Sequence, residues 1–217
     1  MPSLSLMRGV LIALEGADGS GKSTLATHLA QQFTELEVPV VLTREPGQTR
    51  LGIKLRKLVQ EHSVPICPKA EYLLFATDRA QHFEELVVPS LQNNKFVISD
   101  RLCDSSLVYQ GFARGLDIDM IRTINTWTMQ GYTPDVTVYV RVSPETAFAR
   151  VRKRGGVLSS FEREKEGFAR TVIEGFEQLV APRDGVLVVD GEKESTHLAH
   201  HVAEQIIARL RISGLVI

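Results

Sequence analysis

Short apolar runs alternate with stretches in which apolar residues recur every three or four positions, almost from one end of the chain to the other. The runs predict strands at about Val10–Leu14, Val38–Leu42, Phe96–Ser99, Val136–Val140 and Val186–Val189. The spaced stretches predict helices. The first reaches about Leu36 and carries Leu25, Ala26, Leu29, Ala30 and Phe33 at helical spacing. Others are expected over about Leu51–Gln60, Lys69–Leu91, Pro144–Lys153, Gly167–Val180 and Ser195–Arg211, with two more starting near Asp104 and Asp119. Pro65, Pro68, Asn93-Asn94, Gly111 and Gly115 punctuate the connections. Strands that are apolar throughout, each followed by a helix, predict a parallel sheet covered on both faces. The expectation is a three-layer α/β fold with a five-stranded sheet, one domain over residues 1–217, without internal repeats or linkers.

Between the first strand and the first helix stands Gly16-Ala17-Asp18-Gly19-Ser20-Gly21-Lys22-Ser23-Thr24, which fits G-x-x-x-x-G-K-[ST]. Glycines let successive backbone amides turn toward one anion, and the helix N-terminus adds partial positive charge. Lys22 supplies a full charge, and the Ser23 hydroxyl is placed to hold Mg²⁺. Strand, loop, lysine and helix occur in the required order, so the chain is expected to bind a nucleoside triphosphate through residues 16–24.

Ligands of such sheets bind beyond the carboxyl ends of the strands. Charged clusters fall there: Arg44-Glu45-Pro46-Gly47 after the second strand and Asp100-Arg101 after the third. Asp100 is expected to support Mg²⁺. Arg101 reads as a phosphate clamp, because a guanidinium matches phosphate oxygens bidentately. Arg44, Arg56 and Arg79 add more positive charge than one triphosphate requires, which points to a second anionic substrate. Phe75 and Arg79, one helical turn apart, can stack a base and hydrogen-bond its edge. The guanine-reading pattern N-K-x-D is absent: Asn94-Lys95-Phe96-Val97 lacks the Asp and precedes a strand.

Composition narrows the picture further. The 25 Lys and Arg nearly cancel 26 Asp and Glu, which argues against nucleic acid as a partner. No apolar run approaches the roughly 18 residues of a membrane span, and the first eight residues do not resemble an export signal. Cys67 and Cys103 have no metal-ligand spacing and are expected to be semi-buried thiols. A cytoplasmic protein is expected.

These residues together resemble the bacterial thymidylate kinases, over essentially the whole chain from Val10 to about Arg209. The phosphate loop is joined by Thr43-Arg44-Glu45-Pro46-Gly47, which is similar to the family's T-R-E-P-G block. Leu73 to His82 resembles its base-binding helix. Asp100-Arg101, Ser105-Ser106 and Tyr109-Gln110-Gly111 resemble its D-R-x-x-x-S-S/T-x-A-Y-Q-G block. The resemblance implies a P-loop nucleoside monophosphate kinase with a short mobile lid, transferring the ATP γ-phosphoryl group to dTMP on the route to dTTP. It implies that Phe75 stacks on thymine while Arg79, Ser106 and Gln110 read its polar edge. Arg56 and Arg101 would hold the acceptor phosphate, with Arg44 and Glu45 beside the acceptor, and Tyr109 would crowd the sugar 2′ position. Asp18, Glu45 and Asp100 would surround the phosphates, Mg²⁺ and its waters, and a homodimer is implied.

The chain departs from the family pattern at Leu102 and Val108 and, more seriously, in the lid at about 152–166. Relatives often read D-R-F-E-R-E where this chain reads Ser159-Ser160-Phe161-Glu162-Arg163-Glu164. Ser160 therefore stands where a lid arginine is expected. Arg152 and Arg154, anchored to a helix before the Gly155-Gly156 hinge, are the expected replacements, in preference to Arg163 among its glutamates. A kinase for another deoxynucleotide or a deoxynucleoside, and a nucleotide-binding regulator without turnover, remain as alternatives.

Overall fold

The computed structural model describes residues 6–61, 65–154 and 166–216. Its sheet takes the five expected strands: β1 Val10–Glu15, β2 Val40–Arg44, β3 Phe96–Asp100, β4 Val136–Arg141 and β5 Val186–Asp190. They run parallel in the order β2-β3-β1-β4-β5. Strand β1 is central and fully buried, so both faces of it must be apolar. Val10, Ile12 and Leu14 face the cluster formed with the helices α1 Lys22–Glu35 and α9 Ser195–Ile212. Leu11 and Ala13 face the opposite cluster, with Phe83, Val87, Leu91 and Met129.

The same two-residue period carries the polar ends of the strands to their places. Glu15 continues the Leu11–Ala13 face. Asp100 continues the face of Phe96 and Ile98, toward α1, while Ser99 continues that of Val97. Arg44 pairs with Asp100, and Asp100 pairs on its other side with Leu14, the residue before Glu15, so the charged ends of β2, β3 and β1 lie side by side at one edge of the sheet.

Four local expectations are corrected. Strand β2 begins at Val40, because Val38 packs into the core just before it and Pro39 offers only its carbonyl, which accepts from Phe96 N at 2.8 Å. The helix expected over Lys69–Leu91 is α3 Pro68–His82, a π-helical stretch Phe83–Val87 and α4 Val88–Gln92. Pro89 has no N–H for the carbonyl one turn earlier, and the widened turn falls immediately before it. Gly111 does not break the chain: a helical path runs through α5 Cys103–Ser106 and the π-helical stretch Leu107–Ala113. A side chain at Gly111 would lie 3.1 Å from Ile118 Cγ1, so the glycine serves close packing against α6 Ile118–Thr128, and the turn comes at Gly115 with φ 74°. Cys67 is exposed ahead of α3 rather than semi-buried, whereas Cys103 is half-buried.

The remaining helices are α2 Arg50–Glu61, α7 Pro144–Arg154 and α8 Glu166–Leu179. Most of the proposed lid, including Gly155, Gly156, Ser159, Ser160 and Arg163, lies outside the described residues.

Candidate active site

The loop Gly16–Gly21 connects β1 to α1 in backbone conformations only glycine adopts freely, with Gly16 at φ 146°, Gly19 at 80° and Gly21 at 97°. A Cβ at Gly19 would lie 2.4 Å from the Ala147 carbonyl, so α7 packs directly on the loop. Lys22 is 5% exposed, and its ammonium donates to Ala17 O at 2.8 Å inside the loop. Burial, followed by the positive Arg101 nearby, lowers its pKa to about 8. An ammonium held against one carbonyl and one hydroxyl of the loop and destabilised by burial is stabilised again when an anion enters the loop.

Ser23 Oγ donates to Asp100 Oδ2 at 2.5 Å, while Asp100 Oδ1 is buried without a hydrogen-bond partner. This hydroxyl, carboxylate and orphaned oxygen suit a hard cation that takes oxygen ligands. Among the described residues no group of three or more His, Cys, Asp or Glu could hold a metal alone. The donor set therefore suits Mg²⁺ sharing its coordination with phosphates and water.

Arg101 stands between two clefts. Its backbone is left-handed at φ 72°, a strain that persists where surrounding contacts over-determine it. The guanidinium donates to Gly16 O at 2.9 Å, Ser105 Oγ at 3.0 Å, Asp18 Oδ1 at 2.7 Å and Tyr109 Oη at 3.2 Å. Tyr109 in turn donates to Asp18 Oδ2 at 3.2 Å. On one side lies the phosphate groove, lined by Lys22, Ser23, Arg44, Arg56, Asp100, Arg150 and Arg154. On the other is a cleft of about 640 Å³ including its open mouth, lined by Phe75, Arg79, Ser106, Tyr109 and Gln110, with Arg56 at its edge.

In that cleft Phe75 is half-buried and presents a ring to the cavity, as a stacking role requires. Gln110 Nε2 donates to Glu71 Oε1 at 2.9 Å, leaving its own carbonyl oxygen as an acceptor. Ser106 Oγ accepts from Arg79 at 3.1 Å and keeps its proton to donate. Arg79 differs from expectation. It is 2% exposed and also donates to Glu45 Oε2 at 2.9 Å, Asn125 Oδ1 at 2.7 Å and Leu102 O at 3.3 Å. Four of its five N–H groups are thus committed to the protein. Glu45 is similarly tied, to Arg79 and to His82 Nδ1 at 3.0 Å, while His82 Nε2 shares a hydrogen bond with Thr43 Oγ1. Burial raises the Glu45 carboxyl, but Arg79 and His82 outweigh it and hold the pKa below the usual value.

Two expected residues fall elsewhere. Arg44 is exposed and lines the phosphate groove, not the base cleft. Arg152 is exposed and outside the residues lining that groove, whereas Arg150 and Arg154, one helical turn apart on α7, both line it. Sequence reasoning missed Arg150, whose guanidinium donates to Gly191 O at 2.8 Å and Ser20 O at 3.3 Å, tying the phosphate loop to the turn after β5. It also missed Asn125, which orients Arg79 from α6, and Glu15. Glu15 carried one signal: a charged residue ending an otherwise apolar buried strand.

A phosphate loop, an arginine bridge and a base-sized cleft recur in several kinases. Comparison with known proteins separates them. The thymidylate kinase family model matches residues 14–202. The chain belongs to the thymidylate kinase family. It is 44% identical over 188 residues to the thymidylate kinase of Carboxydothermus hydrogenoformans, covering 87% of this chain and 92% of that one. With the thymidylate kinase of Halothermothrix orenii the identity is 41% over 197 residues, 88% of this chain and 94% of the relative. The crystal structure of thymidylate kinase from Ehrlichia chaffeensis superposes with a TM-score of 0.73 at 28% identity, covering 92% of this chain and 99% of that one. The family match begins in the last two residues of β1 and takes in the other four strands and the residues of both clefts, so the α/β P-loop kinase architecture read from the sequence agrees with the family.

Proposed function

We propose that this protein transfers the γ-phosphoryl group of ATP to the 5′-phosphate of dTMP, giving dTDP. The observation that carries the reading is Arg101, held between a phosphate groove and a base-sized cleft, in a chain of the thymidylate kinase family. The acceptor phosphate has a second pKa near 6 and is largely dianionic at neutral pH. It needs no strong general base. What it needs is compensation for two anions brought together, which Lys22, Arg101, Arg56 and Arg154 supply. Mg²⁺ would be held by Ser23 and Asp100 and would neutralise charge on the donor phosphates.

In the base cleft, the Gln110 oxygen can accept from thymine N3–H, while Ser106 and the last N–H of Arg79 can donate to a ring carbonyl. Cytosine offers the wrong polarity at N3. Tyr109, hydrogen-bonded to Asp18 and Arg101, would face the sugar where it joins the phosphate.

The reading extends to the whole molecule as a single-domain, cytoplasmic homodimer. No helix among the described residues is long and apolar enough to cross a membrane. The helices α2, α3 and α6 pack side by side and carry exposed Ile53, Leu73, Met120 and Trp127, an apolar layer suited to a second copy.

ADP release assayed with dTMP, dUMP, dCMP, dGMP and thymidine tests the substrate. Turnover is expected to be fastest with dTMP, and a faster reaction with thymidine or a purine nucleotide would sink the assignment. Arg101→Ala is expected to weaken dTMP by roughly 30- to 150-fold, the loss of about 2–3 kcal/mol for a charge-assisted contact, and to weaken ATP far less.

A further inference from the structure

Arg101 connects the two clefts, and its orientation depends on what lies behind it. Glu15, at the end of β1, is 0% exposed. One of its oxygens accepts from the backbone N–H of Leu102 at 2.9 Å and from that of Ser105 at 3.2 Å. The other accepts from Ser105 Oγ at 2.6 Å. The proton of Ser105 is thereby directed at Glu15, which turns the lone pairs of Ser105 Oγ toward Arg101, whose guanidinium donates to it at 3.0 Å. The carboxylate holds the residue that follows Arg101, itself at φ 72°, and the first turn of α5, and reaches the Arg101 side chain through one hydroxyl.

Burying a carboxylate costs several kcal/mol, and apolar residues of the same size would suit this position at the bottom of a core far better. Glu15 continues the Leu11–Ala13 face, so the strand period alone aims it under the Arg101 turn. The charges around it are mixed: Arg101, Arg79, Lys22 and Arg183 on one hand, and Asp104, paired with Arg183, on the other. Burial first, then Asp104, pushes its carboxyl up to about 7, against the pull of Ser105, Arg101 and the Leu102 amide.

We infer that Glu15 is a positioning residue of the acceptor site, which fixes the direction of the Arg101 guanidinium through Ser105. This rests on reading Arg101 as the clamp on the acceptor phosphate. Glu15 touches no substrate on this account; its carboxylate determines where the positive charge of Arg101 stands before dTMP arrives. Preorganisation of that kind should appear in acceptor affinity and leave the donor site alone.

The test is calorimetric titration of dTMP and, separately, of ATP into wild type, Glu15→Gln, Ser105→Ala and the double variant, beside thermal unfolding of each. Glutamine keeps one acceptor oxygen for the Leu102 and Ser105 amides but presents an N–H donor to the Ser105 hydroxyl, so it breaks the path to Arg101 while keeping the shape. Glu15→Gln is expected to weaken dTMP about tenfold and ATP by no more than about threefold. Ser105→Ala is expected to show the same dTMP-selective loss, and the double variant to bind dTMP within about twofold of the weaker single, since both act along one path. Losses that simply multiply, equal losses for both nucleotides, or an unchanged dTMP affinity in Glu15→Gln would each overturn the inference. If Glu15→Gln fails to fold, Ser105→Ala decides, and a wild-type dTMP affinity in that variant overturns it. A wild-type protein that does not bind dTMP would instead refute the acceptor reading on which this rests.

Discussion

Individual side chains here carry opposing demands, and Lys22 shows the balance best. In the free loop its ammonium is 5% exposed, and its pKa is lowered to about 8 from an ordinary value of 10.5. Between those values the unfolded chain binds more protons at this position than the folded one, so this lysine's contribution to stability rises with pH across that window. Binding reverses the sign. A triphosphate restores the charge, so at pH 9 its binding should take up a proton at Lys22, while at pH 7 it should take up none there. Calorimetry in buffers of different ionisation enthalpy measures this directly; ATP affinity should weaken as pH rises above about 8, and a flat profile from pH 7 to 9.5 would contradict the placement. Arg79 demands a different kind of caution. Removing it leaves Glu45 buried with one partner fewer, a change that typically costs about 3–5 kcal/mol, so Arg79→Ala should unfold at a much lower temperature before it reports on base recognition.

At the scale of elements, helical geometry chooses among residues that stand together in the sequence. The run Arg150 to Arg154 is basic at four of its five positions, yet residues four apart share a face and residues two apart do not. Arg150 and Arg154 line the phosphate groove, and Arg152 is outside that lining. Arg154→Ala should therefore lower kcat at least about tenfold with little change in the KM for dTMP, as expected for a charge that serves the transferring group. Arg152→Ala should leave kcat within about twofold. Steady-state kinetics at saturating substrate distinguishes the two, and a crippled Arg152 variant would move the lid charge to the other face of α7. Two π-helical stretches were not legible in the sequence. Periodicity reports which residues are apolar every three or four positions, and a single widened turn before Pro89 hardly disturbs that count.

For the whole molecule, the open question the fold raises is what covers Ile53, Leu73, Met120 and Trp127. Trp127 is 78% exposed, an unusual position for so large an apolar surface in a monomer. Wild-type protein should sediment at twice the chain mass, and Trp127→Glu should shift it to the monomer mass while leaving the fold intact. A surface substitution of this kind normally changes monomer stability by only about 0.5 kcal/mol, so unfolding temperature serves as the control. Wild-type protein running as a monomer at micromolar concentration would remove the dimer from the reading.

The chain by itself determined the strands, the parallel sheet and the residues at the strand ends, because these follow from local rules. Apolar runs must be buried, G-x-x-x-x-G-K-S has one common use, and T-R-E-P-G and Y-Q-G are family blocks. Ser23 and Asp100, each legible in the sequence as a Mg²⁺ ligand, stand 2.5 Å apart. Only the tertiary structure decided how the arginines divide their work. Sequence spacing cannot show that Arg79 is bound by Glu45, Asn125 and Ser106 from three other segments, or that Arg44 lines the groove beside the phosphate loop and Arg152 lies outside that lining. Nor could it reveal Glu15, whose two oxygens find their partners 87 and 90 residues away. Hydrogen-bond partners depend on where strands end in space, and that is fixed by sheet order and register, which no single stretch of this chain encodes.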